Sequence, residues 1–391
     1  VKLSGGIPNI PVRDLVIQKR ENDLVCATFG RSFYILDDYT ALREVSEEAL
    51  DQEAMLFPVR KAWWYQIEHT LGFGKKASQG DAFFVAPNPD FGATFTYYLK
   101  DELRTRKATR RKDEKELEKE GKDTPHPGWD AIRLEETEQK PAILLTITNS
   151  DGVVVRRLEG PAKAGLQRVS WDLRHPPTDA LTKVETEEEE EHDDGPTGFL
   201  AHPGRYTVSL AQRVDGRITD LGPSQSFDVV PLRTGTLPGA PLEAVSAFKQ
   251  ELAEMKRVVS GAQATIKDTK RRLAGMRHAL GVSTADTTLY DTLRGLTATL
   301  DALGQRLSGN HRRNLANDPG LIAITRRLQV AHMGNRHSTY GPTPTHKRSL
   351  AIAKDAFGKL STELRQLVGT DIPALEARLE AAGVPWSPGR R

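Results

Sequence analysis

Residues 12–38 read VRDLVIQKRENDLVCATFGRSFYILDD. Val12, Leu15 and Ile17 make an apolar run, and Arg20-Glu21-Asn22-Asp23 is a polar turn. LVCAT is a second run, Phe29-Gly30-Arg31-Ser32 turns again, and FYIL ends at Asp37-Asp38. β-Branched and aromatic residues bounded by Gly, Asn and Asp predict a meander of three short strands. A lone three-stranded meander cannot bury both its faces, so it needs neighbours. In a β-propeller the adjacent blades supply them.

Working outward, residues 39–92 are aromatic for a linker: Leu50, Met55, Leu56, Phe57, Trp63, Trp64 and Tyr65 fall there. Two readings stand. These side chains pack across the side of a propeller and tie it to the next domain, or Trp63 and Trp64 form an exposed platform for a ligand. Residues 93–231 carry several strands: ATFTYYL, AILLTITNSDGVVVRRL, LQRVSWDL, GRYTVSLAQRVDGRITDLG and QSFDVVPL. Asn149-Ser150-Asp151-Gly152 and Asp215-Gly216 are hairpin turns. Strands at this spacing predict an immunoglobulin- or fibronectin-like β-sandwich over 93–235. Two insertions interrupt it. The first, near 101–140, holds RTRKATRRKDEKELEKEGK and reads as an exposed helix or a flexible excursion. The second, near 178–197, holds Glu185, Glu187 to Glu191 and His192-Asp193-Asp194 and reads as a solvated acidic loop.

From Leu242 the apolar period changes to steps of three and four: Val245, Phe248, Leu252, Met255, Val259, Ala262, Ile266, Leu273, Met276 and Leu280. That is one helix of about 40 residues with a heptad seam. Leu289 to Leu307 and Leu350 to Leu367 carry two more seams, with a short helix near Leu321 to Val330 and an irregular loop between them. Asp371-Ile372-Pro373 reads as a helix restart, since Pro is tolerated in a first turn. Residues 236–391 are therefore expected to form an antiparallel helical hairpin bundle.

The run IPNIPVRDLVIQKRENDLVCATFGRSFYILDDYTALREV resembles the last blade of large bacterial propeller proteins of the BNR-repeat and sortilin-like kind, labelled glycosyl hydrolases. The resemblance continues through LFPVRKAWWY, QGDAFFVAPNPDFGATFTYYLKD, AGLQRVSWDLRHPP, GRYTVSLAQRVDG and DIPALEARLEAAGVPWSPGR, nearly the whole chain. It implies a final, partial blade over 1–45, an aromatic-rich connector over 46–92, upstream blades of the same protein as partners, and export to the periplasm or beyond. The chain starts Val1-Lys2-Leu3 and reads as mid-protein, the expectation being a C-terminal piece of a longer propeller protein. The expected fold is thus multidomain β plus α.

Composition excludes some classes. A net charge of +2 gives no global field for nucleic acid or an anionic membrane. No apolar run is long enough to span a bilayer. The one cysteine, Cys26, rules out an internal disulfide and lies in an apolar strand, where a buried inert thiol is expected. The basic run Arg104 to Lys112 is cancelled by Asp113, Glu114, Glu116 and Glu118 and reads as a salt-bridged surface helix.

A propeller sialidase gathers arginines, a tyrosine nucleophile and an acid at the blade tops. Arg13, Asp14, Arg31, Asp37 and Asp38 sit near strand ends, where such groups would cluster. Asp and Arg in blade turns also hydrogen-bond turn amides, which is the plainer role. The Asp-box S-x-D-x-G-x-T-W is absent, as are H-E-x-x-H, G-x-S-x-G, a phosphate loop and a dinucleotide fingerprint. The acidic loop lacks the spacing of a calcium loop. Trp171 is expected to anchor a core, with Asp172 and Arg174 as an ion pair at the strand end. No catalytic, cofactor or metal residue is assigned. The expected role is a non-catalytic accessory region that braces the propeller and contacts a protein or glycan. The alternatives are a part of a sialidase-like glycoside hydrolase with its catalytic residues upstream, and a sortilin-like peptide-binding propeller.

Overall fold

The computed structural model describes residues 9–67, 86, 88–180, 198–233, 235, 237–318, 320–336 and 338–389. It is a mixed β plus α protein of two compact units. One comprises residues 1–174 and 203–234, the other 175–202 and 235–391. Most of the acidic loop expected at 178–197, the stretch 68–85 of the connector and the first eight residues of the expected blade lie outside the described residues.

The first unit runs β1 (Val12–Gln18), β2 (Asp23–Thr28), β3 (Phe33–Leu36), α1 (Thr40–Arg43), α2 (Glu47–Asp51), β4 (Ala54–Leu56), β5 (Ala62–Trp64) and β6 (Ala93–Leu99). Then come α3 (Arg106–Lys119), α4 (Trp129–Thr137), β7 (Ala142–Asn149), β8 (Val154–Gly160), β9 (Gly165–Trp171), β10 (Gly204–Val214), β11 (Arg217–Asp220) and β12 (Gln225–Pro231). Three sheets result: β1-β2-β3, β4-β6-β9, and β5-β12-β10-β7-β8 with β11 on β10.

The meander is antiparallel throughout, with Leu15 opposite Cys26 and Cys26 opposite Tyr34. Cys26 is buried, yet Leu15, Val16, Ile17, Phe33 and Ile35 are all exposed, Phe33 by 68%. Both faces of this sheet therefore carry uncovered apolar side chains.

The other two sheets bury their facing sides. β6 alternates strictly, with Phe95 and Tyr97 wholly enclosed. Period-two alternation puts these on one face and Thr94, Thr96 and Tyr98 on the other. Phe95 meets Phe227 of β12 edge-on at 5.5 Å, and Trp171 of β9 meets Tyr206 of β10 at 5.3 Å. Trp171 is 0% exposed, and its indole N–H donates to Arg174 O at 2.9 Å. The Asp172 carboxylate accepts from the Arg174 backbone N–H at 2.9 Å, so it caps the strand end. The Asp215-Gly216 hairpin has both central residues at positive φ, as a two-residue primed turn requires.

Two short strands fall within the expected connector 46–92, at 54–56 and 62–64. β4 pairs with β6, and β5 lies parallel to β12, with Ala62 opposite Val229. These strands have three residues each, too short to show alternation. The charged insertion forms two helices, α3 and α4, neither with a buried residue. Arg110 grips Glu135 with a two-pronged contact at 2.6 and 2.8 Å and holds that carboxyl below its ordinary value.

The second unit comprises α5 (Leu242–Gly281), α6 (Thr288–Ser308), α7 (His311–Leu315), α8 (Ile324–Arg336), α9 (Pro344–Gln366) and α10 (Ile372–Ala381). α5 buries Val245, Phe248, Leu252, Met255, Val259, Ala262, Ile266, Leu273, Met276 and Leu280. From Phe248 to Leu280 that seam meets Leu293, Leu300, Leu303 and Leu307 of α6 and Leu350, Ala353, Leu360 and Leu364 of α9 in one core. Each wholly buried Leu contributes roughly 1.5–3 kcal/mol. Phe199 joins that core and meets the His332 ring edge-on at 5.2 Å. At the start of α9, Thr343 Oγ1 accepts from His346 N–H while His346 Nδ1 accepts from Thr343 N–H, a reciprocal cap. α9 does not stop before Pro373. It passes through one wide π turn, Leu367–Asp371, straight into α10. The wider turn accommodates the N–H that Pro373 lacks.

Candidate functional site

The sequence candidates fall into two groups. Arg13, Asp14 and Arg31 stay on the exposed rim of the meander. The Arg13 guanidinium lies over the Phe29 ring at 4.8 Å, and Asp14 accepts from the neighbouring Leu15 N–H. Arg31 is exposed in the β2–β3 turn, flanked by Gly30 and Ser32 at positive φ.

Asp37, Asp38 and Trp63 converge, together with partners that sequence reasoning did not select: Glu21, Asp23, Arg60 and Arg168. Arg60 Nη1 donates to Glu21 Oε2 at 2.9 Å and to Glu21 O at 3.0 Å, and Arg60 Nε lies 3.4 Å from Asp38 Oδ2. The Trp63 indole N–H donates to the same Glu21 carboxylate at 2.9 Å. Arg168 Nη1 donates to Asp37 O at 2.8 Å, and its Nη2 donates to Asp38 O. Asp38 sits at φ +46°, which an Asp tolerates, and its carboxylate accepts from Thr40 N–H and Thr40 Oγ1–H. Burial and the Asp23 carboxylate raise the Asp37 pKa above its ordinary value, while Arg168 and Arg60 partly offset this.

The chemistry of this cluster is that of a joint. Both arginines are engaged by carboxylates or carbonyls of the chain itself. Neither presents an open fork to a substrate carboxylate, as an arginine clamp must. Asp38 satisfies turn amides and hydroxyls. Trp64 is buried beside β12, where its carbonyl accepts from Leu232 N–H at 3.1 Å. Trp63 is half-buried with Lys61 over its ring at 4.4 Å. Neither tryptophan forms an open platform. No local signal could have paired Glu21 with Arg60, since the partners are 39 residues apart.

Among the described residues no group of three or more His, Cys, Asp or Glu side chains could hold a metal ion. Among them, too, no helix is long and apolar enough to cross a membrane. The helical unit contains a groove of about 1050 Å3, lined from α5, α6, α7 and α8 and their connections, with Lys256, Ser260, Asn314 and Arg326 on its walls. None of these residues was singled out by motif, because a groove between helices leaves no spacing pattern in the chain.

Comparison with protein-family models, with curated proteins and with solved structures found no match.

Proposed function

We propose that the chain is a non-catalytic accessory and interaction region of a larger β-propeller protein. In this reading β1–β3 is the closing blade, the two facing sheets are an immunoglobulin- or fibronectin-like sandwich, and the second unit is an antiparallel bundle. The supporting observation is the meander. Leu15, Val16, Phe33 and Ile35 are each more than half exposed and occupy both of its faces. Exposed apolar surface of this extent marks an interaction site. A blade stacked between sheets covers both of its faces, which a single-sided docking surface does not. The resemblance of residues 7–45 to a last propeller blade supports upstream blades of the same protein as that cover.

The non-catalytic part rests on the occupied arginines and capped carboxylates of the joint. Its test is an assay of the 391-residue chain against a panel of aryl glycosides. No turnover is expected, and saturable hydrolysis overturns the reading. The blade part is tested by replacing Val16 and Ile35 with Thr. In this chain stability should hold, because little covered surface is lost. In the longer protein the same changes should lower the melting temperature. Equal melting of the two longer proteins overturns it.

A further inference from the structure

The groove of the helical unit has a floor of the buried Val259, Ala323 and Leu328. Its walls are polar, and their charges are unevenly satisfied. Arg306 is paired with Glu363 at 2.6 Å and Arg313 with Asp318 at 2.7 Å. Lys256 is half-buried on α5 and has no partner among the described residues. Two other lysines of this unit are paired, Lys270 with Asp301 at 2.6 Å and Lys354 with Glu251. Arg326 reaches only the neutral Gln329 Oε1, at 2.8 Å. Asp179 is the lining carboxylate outside an ion pair among the described residues, so cations remain in excess. At the rim Leu321 is 91% and Ile322 61% exposed.

We infer that this groove binds an acidic peptide segment of a partner protein, with its carboxylates toward Lys256 and Arg326 and its apolar side chains on the floor and against Leu321 and Ile322. Lys256 and Arg326 carry no carboxylate among the described residues, so a ligand carboxylate between them gains charge complementarity. The Asn314 side-chain amide, without a partner among the described residues, offers both a donor and an acceptor, which suits a peptide main chain. Irregular main chain already lies on α5 at this place: Ala180 N–H donates to Ser260 Oγ at 2.7 Å. The volume is at the top of the range for small-molecule clefts, roughly 300–1,000 Å3. Among the described residues no Trp, Tyr or Phe lines the groove to stack a base, which disfavours single-stranded nucleic acid. The inference rests on the interaction-region reading only in taking the partner to be a protein. Peptide binding and glycoside turnover are separate measurements, so either can fail alone.

The test uses the whole chain and a short fluorescein-labelled peptide alternating Glu with Leu, followed by anisotropy. Saturable binding is expected, weakened by salt. Lys256→Glu should weaken it roughly tenfold or more, the effect of losing one charge-assisted contact. Arg326→Glu, a more exposed position, should do the same and serves if Lys256→Glu lowers the melting temperature. Lys347→Glu, outside the groove, should leave affinity unchanged. Absence of binding, equal binding of a Gln-for-Glu peptide, or tighter binding of a labelled oligonucleotide overturns the proposal. So does binding that appears only after Glu187 to Glu191 are changed to Gln, because the chain's own acidic run is then the occupant.

Discussion

The indole N–H of Trp63 donates to the Glu21 carboxylate at 2.9 Å, and Arg60 donates to the same carboxylate at 2.9 Å. One side chain in a meander turn therefore satisfies two donors around β5. The Glu21 side chain is only 16% exposed and Arg60 24%, so the contacts are shielded from water. Glu21→Ala leaves the Trp63 indole without its acceptor and takes one carboxylate from Arg60, which keeps Glu21 O and Asp38, and should lower the opening free energy of β1–β3 by about 1–3 kcal/mol. Hydrogen exchange at the amides of β2 reads this directly. Glu21→Gln keeps a neutral acceptor for Trp63 and should cost less. Unchanged exchange in Glu21→Ala means that the joint does not hold the meander.

Asp37 gives the same joint a pH dependence. Burial first, and then the Asp23 charge, raise its folded pKa above the unfolded value of 3.8. The fold therefore binds this proton more tightly than the unfolded chain does. The resulting stabilisation is complete below 3.8 and is lost as pH rises through the folded pKa. At neutral pH the ionised carboxylate is a net cost. Asp37→Asn should raise the melting temperature at pH 7, and the gain should shrink steadily as pH falls toward 4. Paired melting curves across that range isolate the one group. A difference that does not vary with pH removes Asp37 as its source.

The helical seams were legible in the sequence because they are local. From Val245 to Leu280 the three-and-four stepping reappears as the buried face of a 40-residue helix. The Asp215-Gly216 turn was legible because few residue pairs adopt positive φ together. What was illegible is non-local. β5 pairs with β12 across more than 160 positions, and a three-residue strand carries no period of its own. The short helix expected near Leu321 to Val330 runs instead from Ile324 to Arg336, because Leu321 and Ile322 face outward while Ala331 and Asn335 are buried. Apolar character alone does not report which way a side chain points. Of the candidate site, Asp37, Asp38 and Trp63 were visible as residues, but Arg60 and Arg168, which bring them together, were not.

Gly92 precedes β6 at φ +115°, and a Cβ there would lie 1.8 Å from the Trp171 carbonyl oxygen. That obstacle is backbone of a paired strand and cannot turn aside. Gly92→Ala should therefore destabilise the first unit by roughly 2–4 kcal/mol, combining steric overlap with a left-handed conformation. Gly152→Ala separates the two contributions. Gly152 has φ +74° and nothing within 4 Å of the added carbon, so only the conformational part, about 1–2 kcal/mol, applies. Urea unfolding of both variants gives the comparison, and equal costs contradict the overlap at Gly92.

Arg272 and Glu376 join α5 to α10 through two parallel hydrogen bonds, 2.9 and 2.7 Å long. Their side chains are 15% and 4% exposed, unlike Arg257 and Glu254 on the surface of α5, at 63% and 60%. Solvent screens the surface pair, whose removal should change little. At the enclosed pair, removing one partner strands the other charge in the core. Glu376→Leu and Arg272→Met should each cost about 3–5 kcal/mol. The double variant should recover most of that loss, because no stranded charge remains and the replacement side chains pack against the buried Leu375 and Leu379. A double-mutant cycle by chemical denaturation measures the recovery. Additive losses would instead mean that each side chain acts through its own packing, with the charges already reached by water.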